Sequence, residues 1–266
     1  MFVSVTDLSS YLYCPRALYM RLVLGIKEKP NKAMVAGSVK HGVFEQSTRR
    51  EKDVICAVKE GAVYADFLSA YSSSYIEALE KQLQAKAALL SSFDISSQEV
   101  AENVKPVILD EAKARAESVF FFAQKNNVYG FDLWQTIVPK VFSEIRTVSK
   151  ALRLKGVIDK VELYPDKCIV CELKTGKAPQ NGTWPSHRVQ VAAYSMLAEE
   201  RFNVPSNECV VNYISSGEKR EISMNPYMKR DVISTTDKVI ALAESKESPE
   251  PCTKANCFCK SQEYLR

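Results

Sequence analysis

The chain has 266 residues, 46% of them hydrophobic and 26% charged, with a formal net charge of +4. That length supports one large domain, or a domain with an appendage, around a folded core, while the mildly basic balance permits a polyanionic partner but falls short of a dedicated nucleic-acid coat. No apolar run approaches the roughly 20 residues of a membrane span, and the start Met1-Phe2-Val3-Ser4-Val5-Thr6-Asp7 lacks a signal-peptide pattern, so a cytoplasmic protein without a membrane partner is expected.

Thr6-Asp7 marks a helix start, and apolar residues keep helical spacing from Leu8 to Leu24, stopping at Gly25. Cys14-Pro15 lies inside this stretch, where a proline breaks or restarts the helix and leaves Cys14 near a helix N-terminus. A second helix is predicted from Val35 to Arg50. The segment from Ala65 to Asn127, rich in alanine, glutamate, lysine and serine, reads as two or three helices interrupted around Ser91 to Ser97 and at Pro106. Lys140 to Ser149 and Arg153 to Tyr164 read as strands, Lys167 to Thr175 as a buried strand and His187 to Phe202 as an amphipathic helix. Cys209 to Ser215 and Lys219 to Met224 form a hairpin around Ser216-Gly217, and Tyr227 to Glu244 is a closing helix. The order implies an α/β (mixed α+β) fold with a central mixed sheet flanked by helices. It divides into N-terminal helices (1–52), a helical insert (53–139), a sheet core (140–246) and a cysteine-bearing C-terminal segment (247–266).

The chemistry concentrates where Gly156-Val157-Ile158-Asp159 precedes a turn at Tyr164-Pro165-Asp166-Lys167 and Cys171-Glu172-Leu173-Lys174 follows it. If Pro165 and Asp166 form the loop, Asp159 and Glu172 stand directly opposite, with Cβ atoms roughly 4.5–5.5 Å apart. Strand alternation puts Glu172 and Lys174 on one side. The alternative is a surface hairpin with a cross-strand salt bridge. The flanking Val157, Ile158, Val161, Ile169, Val170 and Leu173 argue against it, because mid-strand charges among them are half buried and need a purpose. Two like charges held that close call for a cation, and hard oxygen ligands favour Mg²⁺ or Mn²⁺ over zinc. Gly37, His41 and Glu45 recur every four residues on one predicted helical face, so His41 is either a further metal ligand or an exposed or capping histidine. His187 reads as a helix-start residue.

Eight cysteines in a reducing compartment point to ligation rather than disulfides. Cys252, Cys257 and Cys259 crowd the tail, whereas Cys168 and Cys171 face opposite ways on one strand and read as buried thiols.

Taken in order, Gly37-x-x-x-His41-x-x-x-Glu45, Gly156-x-Ile158-Asp159, Glu172-x-Lys174 and Gln190-x-x-x-Tyr194 resemble the successive motifs of RecB-type nucleases of the PD-(D/E)xK superfamily. With Leu12-Tyr13-Cys14-Pro15-Arg16 and the trailing cysteines, the chain further resembles the CRISPR-associated Cas-four exonucleases. The resemblance implies a restriction-endonuclease-like core and a DNA exonuclease acting on single-stranded DNA or overhangs, trimming prespacers for a CRISPR integrase. It implies Mn²⁺ or Mg²⁺ bound by His41, Asp159, Glu172 and the Leu173 backbone, with Lys174 orienting water or stabilising the phosphate and Gln190 and Tyr194 positioning the lysine or the DNA. It also implies an iron-sulfur cluster, 4Fe-4S or 2Fe-2S, on Cys14, Cys252, Cys257 and Cys259. Here the chain departs from the family, since Cys257-x-Cys259 is unusually tight, and zinc is the structural alternative. Expected DNA contacts are Lys177 and Arg188, with Lys155 and Arg153 near the cleft, and Trp184 and Tyr194 stacking on unpaired bases. Rival readings are a viral or DNA-repair nuclease with the same core, and a non-catalytic DNA-binding subunit.

Overall fold

The structure, a computed structural model, describes residues 1–26, 29–254 and 257–260. The end of the expected cysteine segment, 261–266, therefore lies outside the described residues. A two-residue strand β1 (Val3–Ser4) runs into α1 (Val5–Tyr13), where the Asp7 carboxylate accepts the Ser4 N–H at 3.1 Å. Cys14 separates α1 from α2 (Pro15–Leu22), with Pro15 in the first helical position, where its missing N–H costs nothing.

Next come α3 (Lys32–Arg49), α4 (Glu51–Cys56), α5 (Tyr64–Ala85), α6 (Ala87–Ser92), α7 (Ser97–Asn126) and α8 (Gly130–Thr136). Contrary to the expectation from sequence, α7 runs unbroken through Pro106. A proline inside a helix costs about 3 kcal/mol. Against that cost, Val100, Val104, Ile108, Ala112 and Ala116, four residues apart, form a continuous buried stripe in the core shared with α5. The short α4 and α8 carry too few residues for their periodicity to be read.

Strands β2 (Lys140–Ser149), β3 (Leu154–Leu163) and β4 (Cys168–Lys174) precede α9 (Pro185–Phe202), β5 (Glu208–Tyr213), β6 (Glu218–Ser223) and α10 (Pro226–Glu244). The six strands form one mixed sheet. β2–β3, β3–β4 and β5–β6 are antiparallel, and β4–β5 is parallel, bridged by α9. Along β3, β2 pairs with residues 154 to 163. β1 also pairs with 154 and 155, and β4 with 160 to 163, so both must lie on the edge opposite β2. Between them, residues 156 to 159 of β3 have no ladder partner on that edge among the described residues. The sheet opens there.

Helices cover both faces. α3 to α8 build a core that meets the sheet through Cys171, Leu173 and Ile214. On the other face α1, α9 and α10 pack on Val170, Cys168, Cys209, Val211 and Tyr213. Cys168 and Cys171 thus fall in different cores, as alternation requires. No helix among the described residues is long and apolar enough to cross a membrane.

Candidate metal centre and cysteine site

The β3–β4 register is the one the turn dictates: Leu163 faces Cys168 and Lys160 faces Cys171. One step further would pair Asp159 with Glu172, but the ladder stops. The Asp159 carboxylate instead accepts the Leu173 N–H at 2.8 Å, so the strands part at the carboxylates rather than closing over them. The fork leaves side-chain oxygen, not backbone, in the gap.

Three elements converge on it. Asn31 caps α3 by accepting the Met34 N–H at 2.9 Å, and Val35, Val39 and Val43 bury the helix's apolar stripe. At Gly37 an added Cβ would lie 2.9 Å from the Thr175 hydroxyl, so α3 crosses the end of β4 in close contact. One turn on, His41 Nε2 lies 3.1 Å from Asp159 Oδ1. Another turn on, the Glu45 carbonyl accepts from Ser143 of β2 at 3.2 Å, pinning α3 to the sheet.

From the other face, α9 supplies Gln190. Glu172 is only 3% exposed. Its Oε1 accepts from Lys174 Nζ at 2.9 Å and from Gln190 Nε2 at 2.7 Å, and Gln190 Oε1 in turn takes a second proton of Lys174 at 2.7 Å. Glu172 Oε2 is buried with no hydrogen-bond partner among the described residues. Leaving such an atom unsatisfied costs roughly 1–3 kcal/mol. Burial, with the charge of Asp159 added, pushes Glu172 up to about 8 against the pull of Lys174. Two carboxylates and an imidazole at a fork, with one oxygen orphaned and the lysine committed to the other, are donors that could hold a divalent cation.

The charge balance gives a pH signature. Glu172 titrates higher in the folded chain than its ordinary 4.5, so its burial costs least below that pH and most as pH rises through about 8. A cation that replaces the proton gains over the same window. His41 adds to the trend, because its hydrogen bond to Asp159 holds its proton to higher pH. Mn²⁺ affinity is expected to rise from pH 5 to about 8 and then level off, and Glu172→Gln to flatten the rise. Calorimetry at several pH values checks this; wild-type affinity that is flat across the window would contradict it.

Glu144 carried no signal in its own neighbourhood of the sequence. It lies between the pairs Ser143–Lys160 and Ile145–Ile158, across from Asp159, with a left-handed φ of 52°. Its carboxylate, Glu45 and His41 offer ligand atoms all within 4.8 Å of one another. Only the β2–β3 register could have revealed it.

The expected DNA contacts differ in exposure: Lys177, Trp184 and Arg188 are exposed and Tyr194 is buried. Tyr194 is 3% exposed, and its ring lies 2.6 Å from where a Cβ on Gly156 would be, so it packs under β3 and cannot stack on a base. That contact is why position 156 has no room for a side chain. Arg188 lines the crevice between α9 and α10 beside Asp231, on a different face of α9 from Gln190. Arg153 is paired with Asp237 of α10. Trp184 is 47% exposed and donates its indole N–H to the Lys177 carbonyl at 3.0 Å, so these two share the loop between β4 and α9. His187 sits in the first turn of α9, 3.0 Å from the Tyr213 hydroxyl, and burial followed by the charge of Lys174 lowers it to about 4.

A second site joins the chain's two ends. Cys14, Cys252, Cys257 and Cys259 bring their sulfurs within 4.8 Å of one another, in an apolar surround of Met20, Ala17, Ile26 and Phe258. Cys14 caps α2, accepting the Ala17 N–H at 3.3 Å. Arg16 donates to the Pro249 carbonyl at 3.2 Å and Lys254 to the Tyr13 carbonyl, closing the tail over α2. Burial raises the Cys14 and Cys257 thiols. Against its own burial penalty, the Lys254 N–H and the neighbouring thiols bring Cys252 down to about 7. Four sulfurs in an apolar surround, three of them buried and one with a helix N–H on it, fit an iron-sulfur site, and the tight Cys257-x-Cys259 pair falls inside it.

The sequence profile of the PD-(D/E)XK nuclease superfamily matches residues 3–249. Over 120 residues the chain is 31% identical to a CRISPR-associated exonuclease Cas4/endonuclease Cas1 fusion of Myxococcus xanthus (strain DK1622), covering 44% of this chain and 21% of that protein. Over 103 residues it is 27% identical to a CRISPR-associated exonuclease Cas4 of Francisella tularensis subsp. novicida (strain U112), covering 38% of this chain and 50% of the relative. The chain therefore spans half or less of either relative's length.

Proposed function

This chain belongs to the PD-(D/E)XK nuclease superfamily, and from that premise we propose that it is a Mn²⁺- or Mg²⁺-dependent DNA exonuclease that shortens single strands or overhangs. The observation that carries the reading is the divided state of Glu172, with one oxygen held by Lys174 and Gln190 and the other left for a cation beside Asp159. His41, Asp159, Glu172 and the Leu173 carbonyl are the proposed ligands, and a divalent ion there supplies phosphate polarisation and an acidified water. Lys174, held by two oxygens, keeps its ammonium at the end of β4, where it steadies the charge that grows on the phosphate oxygens. Gln190 fixes that ammonium and is a positioning residue. Tyr194 supports β3 from beneath. Trp184 and Lys177 offer an exposed ring and a cation to an unpaired strand next to the fork.

The likeness to proteins named CRISPR-associated exonuclease Cas4, one of them fused to an endonuclease Cas1, supports a place in CRISPR adaptation. In this reading the chain trims captured prespacers beside the integrase. The four-thiol site is proposed to carry a 4Fe-4S cluster, with 2Fe-2S as the smaller alternative and the same ligands. Labelled single strands, overhang-bearing duplexes and blunt duplexes incubated with Mn²⁺ test the proposed substrate: strands and overhangs should shorten while blunt duplexes persist. Equal digestion of all three would overturn the substrate assignment.

A further inference from the structure

A cavity of about 560 Å³ lies outside the fork, between α3, the start of α7 and the strand ends at Thr175 and Ser215. Its size falls in the range of small-ligand sites, roughly 300–1,000 Å³. Lys40 lines it and is 7% exposed, and among the described residues its Nζ has one partner, the Ile214 carbonyl at 2.7 Å. No carboxylate among the described residues pairs with it. Buried ammonium groups are ordinarily paired with a carboxylate, so one held by a carbonyl alone, on a residue that lines an open cavity, marks a place for an anion.

The surrounding chemistry narrows the ligand. Ala36, Ile95, Val100 and Val104 give an apolar wall that suits a flat base, while Thr175 and Asn103 add hydrogen-bonding groups. Asp94, Glu99 and Lys32 stand at the exposed rim, so Lys40 is the buried cation of the lining. Gly37 lines the cavity one helical turn before His41, which places the cavity beside the fork along α3. We propose that this cavity binds the nucleotide adjoining the cleaved bond, with its phosphate against Lys40 and its base on the apolar wall. The assignment rests on the nuclease reading for its biological occupant, but it is tested without cleavage.

The test is calorimetric titration of the full chain, its cysteine site loaded, with deoxyadenosine 5′-monophosphate and with deoxyadenosine, in EDTA so that no divalent ion holds the phosphate. The nucleotide is expected to bind about ten- to a hundredfold more tightly than the nucleoside. Lys40→Met should erase that difference, and Lys174→Ala should preserve it. Ala33→Trp, at an exposed position on the cavity wall, should weaken both ligands and guards against a misfolded Lys40 variant. Equal affinity for the two ligands in wild type, or nucleotide binding untouched by both Lys40→Met and Ala33→Trp, would overturn the proposal. DNA cleavage by the wild type with no nucleotide binding would refute this site alone, whereas nucleotide binding without any cleavage would refute the nuclease reading instead.

Discussion

Lys174→Ala is expected to slow DNA cleavage by about 10²–10³-fold, the usual cost of removing one preorganised donor to transition-state charge, while Mn²⁺ still binds. The two effects separate because the lysine is not a proposed ligand. It donates to Glu172 Oε1, whereas the orphaned Oε2 and Asp159 face the need for a cation. Removing the ammonium leaves Glu172 accepting only from Gln190. Its charged form then needs the ion more, so metal dependence should steepen rather than vanish. Asp159→Ala should differ, losing Mn²⁺ affinity together with activity, because its carboxylate also holds the Leu173 N–H and the His41 ring in place. Single-turnover cleavage alongside Mn²⁺ titration distinguishes the pair; equal loss of metal by both variants would merge roles that the geometry separates.

Cys14→Ser is expected to remove iron, brown colour and stability together. The four sulfurs tie α2 to residues 252 to 259, closing a loop over nearly the whole chain. Ligand-site binding energy that exists only in the folded state is folding energy. Losing several kcal/mol of it should lower the melting temperature by roughly 10 °C in a chain of this size. Cys257→Ser should match it. Iron quantification and thermal melts of both variants check this, and full iron with unchanged melting in both would remove the cluster assignment.

Much of this arrangement was legible because it is local. The turn Pro165-Asp166 fixes the β3–β4 register by counting, which brings Asp159 and Glu172 to one place, and alternation puts Lys174 beside Glu172. Cys14-Pro15 reads as a helix restart because proline has only one comfortable position there. What escaped depends on partners distant in sequence. β1 is two residues long and exists only through its pairing with Leu154 and Lys155. Glu144 enters the site through a neighbouring strand. Tyr194 follows Gln190 by one turn, yet Gly156 draws its ring inward, so helical spacing alone could not tell a DNA-facing residue from a supporting one. Pro106 reads as a break in the sequence because local geometry disfavours a proline inside a helix, and packing along α7 outweighs that preference.

The account rests on the fork being a metal-dependent nuclease centre. The most direct measurement follows nucleotide release from an end-labelled single strand by the wild-type chain, its cysteine site loaded, in Mn²⁺ and in EDTA. The account predicts progressive shortening in Mn²⁺ and an intact strand in EDTA. A strand left intact at stoichiometric protein with Mn²⁺ bound, or one shortened equally in EDTA, would contradict it.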